Sequence, residues 1–254
     1  MTRETLISDV LKRIEQETGI VLSRASDRDR VGRYIDQGGE IPGSFDKLPT
    51  SLITLVTTNE TYFERESHHF DFLINTILPE LDRSGTLRPI RILSAPCSSG
   101  EEIYSIVLRL ADMPKKTVRR IEIIGVDISE QMIEKARLGE YSPRSVHALE
   151  QTILNRHFVL ENNQYKIALF PEYTIDFRVG NVFDDALWNQ LGTFDVIFSR
   201  NMMIYFDAAK NIELLKRFQK HLSGYLLIGH ADDHRNAKTI FSSRPIERGI
   251  VYHT

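Results

Sequence analysis

The chain has 254 residues, enough for one medium domain or a large domain with a small appendage. Hydrophobic residues make up 41 % and charged residues 26 %, the balance of a soluble globular protein, and a net charge of −3 gives no basis for general nucleic-acid or membrane-surface binding. The one cysteine, Cys97, excludes an internal disulfide and a cysteine-rich zinc cluster, and no apolar run is long enough to cross a bilayer.

In chain order, Leu6, Ile7, Val10, Leu11 and Ile14 recur at helical spacing, and Gly19 stands where a C-terminal cap belongs. SDRDRVGRYIDQGG predicts a second helix with Ser26 as its cap. GEIPGSFDKLP reads as a loop, SLITLV as a short helix, and FDFLINTILPELDRSG as a helix disturbed near Pro79. The opening MTRETLISDV lacks the apolar core of a secretory signal, so the expected compartment is the cytoplasm.

From residue 89 the pattern alternates. PIRILSAP, IEIIGVDI, TIDFRVGNV, FDVIFSRN and GYLLIGH are apolar runs of strand length, and a closing strand pair is expected in the last fifteen residues. Between them EEIYSIVLRLAD, SEQMIEKARLGEY (capped by Ser129) and AAKNIELLKRFQKHLS have helical spacing. This alternation predicts a doubly wound α/β domain with a parallel sheet. HFVLENNQYKIALF breaks it: two alternating runs around Asn162-Asn163 predict a β-hairpin inserted into the α/β core.

Ligands of such sheets bind at the carboxyl ends of the strands. The first strand ends in SAPCSSGEE, whose small residues permit close backbone approach but which is not the glycine fingerprint of dinucleotide binding. Glu101 and Glu102 either complement the helix dipole or meet a ligand carrying positive charge; they would repel a pyrophosphate. Asp127 ends the second strand as an acid suited to a ribose diol, or as a helix cap near Ser129. Asn181 follows the third strand, within reach of an adenine edge, and Asn201 and Tyr205 follow the fourth. Adenine, ribose and positive charge without phosphate describe S-adenosylmethionine.

TTNETYFERE, SAPCSSGEEIYSI, GVDIS and SRNMMIYFD followed by LLIGH resemble the chemotaxis receptor methyltransferases, the CheR family, from about residue 10 to the C-terminus and in the same order. The resemblance implies a Rossmann-like methyltransferase domain with a small antiparallel β-subdomain insertion, preceded by a small all-α N-terminal domain. The expected divisions are 1–56 for the helical domain, 57–88 for a cofactor-contacting motif and linker, and 89–254 for the methyltransferase domain, with its insertion at about 142–174. It implies cofactor contacts from Asn59, Thr61 and Arg65, with Arg65 close to the transferred methyl. Glu102 would hold the amino group, Asp127 the ribose, Asn181 and Val182 the adenine, with Arg200 and Asn201 after the fourth strand and Tyr205 beside the reaction centre.

The implied activity is methyl esterification of receptor glutamates, with Arg65 and Tyr205 as the catalytic residues and no metal. The implied partner is the cytoplasmic helical bundle of the receptor, docked on Arg24, Arg28, Arg30 and Arg33; a solvated face balanced by Asp27 and Asp29 is the alternative. The chain is expected to be monomeric. Two departures from the family pattern stand out. The N-terminal region is short, which bears on the receptor-docking surface more than on catalysis, and the hairpin is compact, which points to docking independent of a receptor tail. Glu64 takes a position often held by phenylalanine, where it would either pair with Arg65 or face solvent. Other readings are transfer to another protein and a non-catalytic cofactor-binding module; a nicotinamide dehydrogenase is disfavoured. Cys97 and Trp188 are read as packing residues, and His68, His69 and His230 lack metal-ligand spacing.

Overall fold

The computed structural model describes residues 2–22, 24–41, 43, 48–57, 60–83, 85–113 and 119–254. Part of the predicted loop GEIPGSFDKLP therefore lies outside the described residues, as does Asn59. Three helices come first: α1 (Arg3–Thr18), α2 (Ala25–Asp36) and α3 (Thr50–Val56). Their apolar stripes meet, burying Ile7, Val10, Leu11 and Ile14 of α1 against Val31 and Leu52. Each such side chain stabilises the cluster by about 1.5–3 kcal/mol. Gly19 caps α1, its amide donating to the Glu15 carbonyl.

Helix α2 starts two residues earlier than Ser26 as cap would place it, with Arg24 as its cap. Asp27 reaches back so that its Oδ2 accepts the Arg24 amide at 3.2 Å, and Ser26 lies within the first turn. The rod made by α4 (His68–Phe72) and α5 (Leu78–Arg83) is continuous through a π-helical turn at Leu73–Ile77. Pro79 explains the position of this turn: it has no amide to donate to Asn75, and its ring would press on that carbonyl, so the turn before it widens.

The remainder runs β1 (Ile90–Ser94), α6 (Glu101–Ala111), β2 (Ile121–Asp127), α7 (Glu130–Leu138), β3 (Glu140–Tyr141), α8 (Pro143–Val146), α9 (Gln151–His157), β4 (Phe158–Glu161) and β5 (Gln164–Ile167). It continues as β6 (Thr174–Val179), α10 (Asp185–Leu191), β7 (Phe194–Ser199), α11 (Ala208–His221), β8 (Leu222–Ile228), α12 (His234–Ile240), β9 (Ser242–Ile246) and β10 (Gly249–His253). Helix α7 ends before the predicted GEY because Gly139, at φ 64°, takes the left-handed cap conformation and turns the chain into β3.

Strands stand in the order β6-β2-β1-β7-β8-β10-β9. The first five are parallel, and β10 and β9 close the edge antiparallel, as expected for the last fifteen residues. One apolar cluster covers each face of the sheet. A separate sheet, β3-β5-β4, carries the hairpin, with Asn162 and Asn163 both at positive φ as a two-residue turn requires. Among the described residues no helix is long and apolar enough to cross a membrane. From β1 the chain moves outward to β2 and β6, then returns to β7 on the other side. The crevice between the ends of β1 and β7 is thus the switch point of the sheet.

Candidate active site

A cavity of about 1050 Å³, its open mouth included, lies over that crevice. Four strand ends feed it: Pro96 to Ser98 after β1, Val126 to Ile128 at β2, Gly180 to Val182 after β6, and Arg200 to Met202 after β7. The strap before α4 closes one side with Glu60, Thr61, Tyr62 and Arg65. Thr18 at the end of α1 and Ile20 just beyond its cap form another wall. Every described residue expected at the site from sequence lines this one cavity: Thr61, Arg65, Glu102, Asp127, Asn181, Val182, Arg200, Asn201 and Tyr205.

The loop after β1 depends on Gly100, whose φ of 91° a side chain rarely adopts and whose Cβ would lie 3.0 Å from that of Ala136. Tyr141 fixes the same loop by donating to the Ser99 carbonyl at 2.9 Å. The two glutamates that follow part company. Glu101 is buried away from the cavity and accepts from Ser99 Oγ at 2.8 Å; burial pushes its carboxyl above the ordinary range. Glu102 faces the cavity, accepting from Ser94 Oγ at 2.7 Å and from Arg200 Nη1 at 2.8 Å.

Asp127 accepts the amides of Ser98 at 2.8 Å and Ser129 at 2.9 Å, one on each oxygen, and burial raises its pKa. It is therefore a cavity wall and a brace for the start of α7 at once. Each oxygen keeps a lone pair, as contact with a diol needs. Burial also pushes the Cys97 thiol well up, with Asp127 and Glu102 acting the same way, so it packs as a neutral side chain. Asn201 sits at φ 58°, and its amide donates to Asp232 Oδ2 at 2.6 Å; Asp232 also accepts the amides of Met203 and Gly229, each at 2.8 Å. Tyr205 ends a 3-10 turn whose carbonyl accepts the Val21 amide at 2.8 Å.

Arg65 is turned to the rim, donating from Nη1 to the Glu60 carbonyl at 2.6 Å. Glu64 does not pair with it. At φ 62° the Glu64 side chain points the other way, where its carboxylate takes Arg109 Nε at 3.1 Å and Nη2 at 2.5 Å. Glu66, at φ 53°, likewise turns away and accepts from His230 Nδ1 at 2.8 Å. The arginine is thus flanked by two left-handed glutamates, each held by a basic partner.

Sequence reasoning did not find Ser98, Thr18, Ile20, Asp232 or Glu66. Ser98 has a buried Oγ with no hydrogen-bond partner among the described residues, beside Asp127 and Glu102. An acid just past the fifth strand is a weak signal for Asp232; Thr18 and Ile20 give none, because only tertiary packing brings them here. On α2, Arg24, Arg28 and Arg33 are exposed. Arg28 donates to Glu4 Oε2 at 3.1 Å, and Arg30 turns inward to the Leu55 carbonyl at 3.1 Å. Asp27, buried as a brace for Arg24, does not balance that face.

The donor set suits S-adenosylmethionine. Asp127 at the end of β2 and Glu102 in the first turn of α6 present carboxylates to the cavity, as a ribose diol and an ammonium group require, and the Ser98 hydroxyl, without a partner among the described residues, lies beside them; acids at the start of α6 disfavour phosphate. Sequence comparison agrees. The family model described as "CheR methyltransferase, SAM binding domain" matches residues 59–250. The chain is 36 % identical over 207 residues to "Chemotaxis protein methyltransferase 2" of Vibrio cholerae, covering 80 % of this chain and 72 % of that one. It is 37 % identical over 212 residues to "Chemotaxis protein methyltransferase" of Campylobacter jejuni, covering 81 % and 76 %. A Pseudomonas aeruginosa protein named "Probable biofilm formation methyltransferase WspC" is 36 % identical over 185 residues, covering 72 % and 43 %. The chain belongs to the CheR methyltransferase family and is a methyltransferase whose cofactor is S-adenosylmethionine.

Proposed function

We propose that this chain esterifies glutamate side chains of chemotaxis receptors in the cytoplasm, giving γ-glutamyl methyl esters. The convergence of Arg65 and Tyr205 on the cavity that presents Glu102 and Asp127 carries this reading, together with kinship to proteins named chemotaxis protein methyltransferase. When bound, the cofactor supplies a methyl group on a positively charged sulfur. An acceptor carboxylate, with a reference pKa of about 4.3, is already ionised at neutral pH and needs no strong base. The protein's work is alignment and exclusion of water.

In this reading Arg65 swings its free guanidinium N–H groups onto the acceptor carboxylate, and Tyr205 shapes the site by hydrogen bonding. Glu102 holds the cofactor's ammonium and Asp127 its ribose; Asn181 and Val182 border the adenine. Thr61, Arg200 and Asn201 complete the pocket, and Asn59, outside the described residues, is assigned to the cofactor on the family resemblance alone. The exposed Arg24, Arg28 and Arg33 receive the acidic helical bundle of the receptor. Arg30, bonded to Leu55, braces α2 and contributes its charge at longer range.

Radiolabelled methyl transfer to receptor-containing membranes tests the proposal. Label released by alkali as methanol is the expected result; alkali-stable label would refute carboxyl transfer. The similarity to the protein named for biofilm formation favours one second reading, a receptor of another signalling pathway, and labelling of membranes with and without chemotaxis receptors separates the two.

A further inference from the structure

Behind the cavity lies a cluster that the sites above do not use: Glu66, His68, His69 and His230 around Arg200. Glu66, His68 and His69 bring ligand atoms within 4.8 Å of one another, which raises a metal site. The cation already there weighs against it. Arg200 Nε is 3.6 Å from Glu66 Oε2, and His69, pushed down to about 3 by burial and then by the Arg200 charge, is neutral. The positive charge of Arg200 beside these ligand atoms repels a dication.

Arg200 is nearly buried and stands between two carboxylates. It donates to Glu102 Oε2 from Nη1 and to the Arg65 carbonyl from Nη2, while its Nε, with no hydrogen-bond partner among the described residues, faces Glu66 Oε2 as an ion pair. A carboxylate accepts only, so His230 carries its proton on Nδ1 and holds the second oxygen of Glu66. One cation shared by two anions leaves a net negative charge, and Glu102 lies at its cavity end. Were Glu66 neutral, Arg200 and Glu102 would be a balanced ion pair, and Glu102 would attract an ammonium weakly.

We propose that Glu66 is a positioning residue: it takes up the charge of Arg200 and so keeps Glu102 an effective partner for the cofactor's ammonium group. This rests on the role of Glu102 proposed above. It does not depend on which protein is methylated.

Calorimetry of S-adenosylhomocysteine binding to the full chain tests it. Glu66→Gln should weaken binding about tenfold, the loss of one charge-assisted contact, with little change in melting temperature. Glu66→Gly removes the charge while easing the left-handed backbone, and should weaken binding equally even if the Gln variant folds poorly. The decisive reading is a double-mutant cycle with Glu102→Gln: if Glu66 acts through Glu102, its substitution adds little once Glu102 is neutral. Binding by both Glu66 variants within twofold of the parent, or fully additive losses, would overturn the proposal. A Glu102→Gln variant that binds normally would overturn both roles, whereas intact cofactor binding without receptor labelling would count only against the acceptor.

Discussion

The side-chain nitrogen of Asn181 donates to the main-chain oxygen of Glu17 at 2.6 Å, while its side-chain oxygen accepts the Phe183 amide at 2.9 Å. The end of α1 is thereby tied to the cavity wall after β6, and Asn181 has part of its hydrogen-bonding capacity committed before any ligand arrives. Asn181→Ala should lower unfolding stability by about 1 kcal/mol and weaken S-adenosylhomocysteine binding by about three- to tenfold, as loss of such hydrogen bonds does. Chemical denaturation and calorimetry read the two effects; a stability loss with unchanged binding would show that the wall stands without the tie.

Arg65→Lys keeps the charge and loses the planar fork. Transfer to receptor membranes should fall by about 10²-fold, as misplacement of a reacting group does, with a smaller change in cofactor affinity. Undiminished transfer by Arg65→Ala would remove Arg65 from the mechanism.

Ser98→Ala deletes a buried hydroxyl that has no hydrogen-bond partner among the described residues. Its melting temperature should hold or rise, while cofactor binding weakens by about three- to tenfold, the value of a neutral hydrogen bond. Equal binding by parent and variant would mean the hydroxyl faces water in the complex.

The Glu64 anchor makes a stability prediction. Arg109 also holds Asp71 at 2.6 Å, and its side chain is 35 % exposed against 13 % for Glu64. Arg109→Ala strands the more buried carboxylate. It should cost about 1–2 kcal/mol in urea denaturation, the exposed side of the pair being discounted for solvent screening. Transfer should fall as well, since the strap that carries Arg65 loses a hold.

The buried His69 governs an acid limb. Its folded-state pKa of about 3 lies below the unfolded value of 6.5, so below pH 6.5 the unfolded chain binds the extra proton. Its contribution is intact above pH 6.5 and is lost as pH falls toward 3, at about 1.4 kcal/mol per unit. His68 and His234 are shifted the same way, mainly by burial. Stability measured at pH 7 and pH 5 should differ by about 2 kcal/mol on account of His69, and His69→Gln should shrink that difference. An unchanged difference would assign the acid limb elsewhere.

Much of this was legible in the chain, for reasons that differ by region. Apolar runs ending in small or acidic residues, with helical spacing between them, located β1, β2, β6, β7 and β8, because strand and helix periods are local properties. The site residues follow from those ends, since the sheet itself carries Asp127, Asn181 and Asn201 to one crevice. What escaped depends on partners distant in sequence. Glu64 avoids Arg65 because Arg109 is better placed across the strap, and Ile20 becomes a cavity wall only when α1 packs on the loop after β7. The widened turn at Leu73–Ile77 was half visible: Pro79 gave notice of a disturbance, but the chain accommodates it one turn earlier.

The amide of Val21 and the carbonyl of Tyr205 join the segment leading into α2 to the segment bearing the tyrosine, while Thr18 and Ile20 close the cavity a few residues away. A partner docked on α2 would therefore act on a segment bonded directly to the wall of the cofactor cavity. If such docking shifts those helices, it alters how tightly the cofactor is retained, and reciprocity requires the cofactor to alter the docking affinity by the same factor.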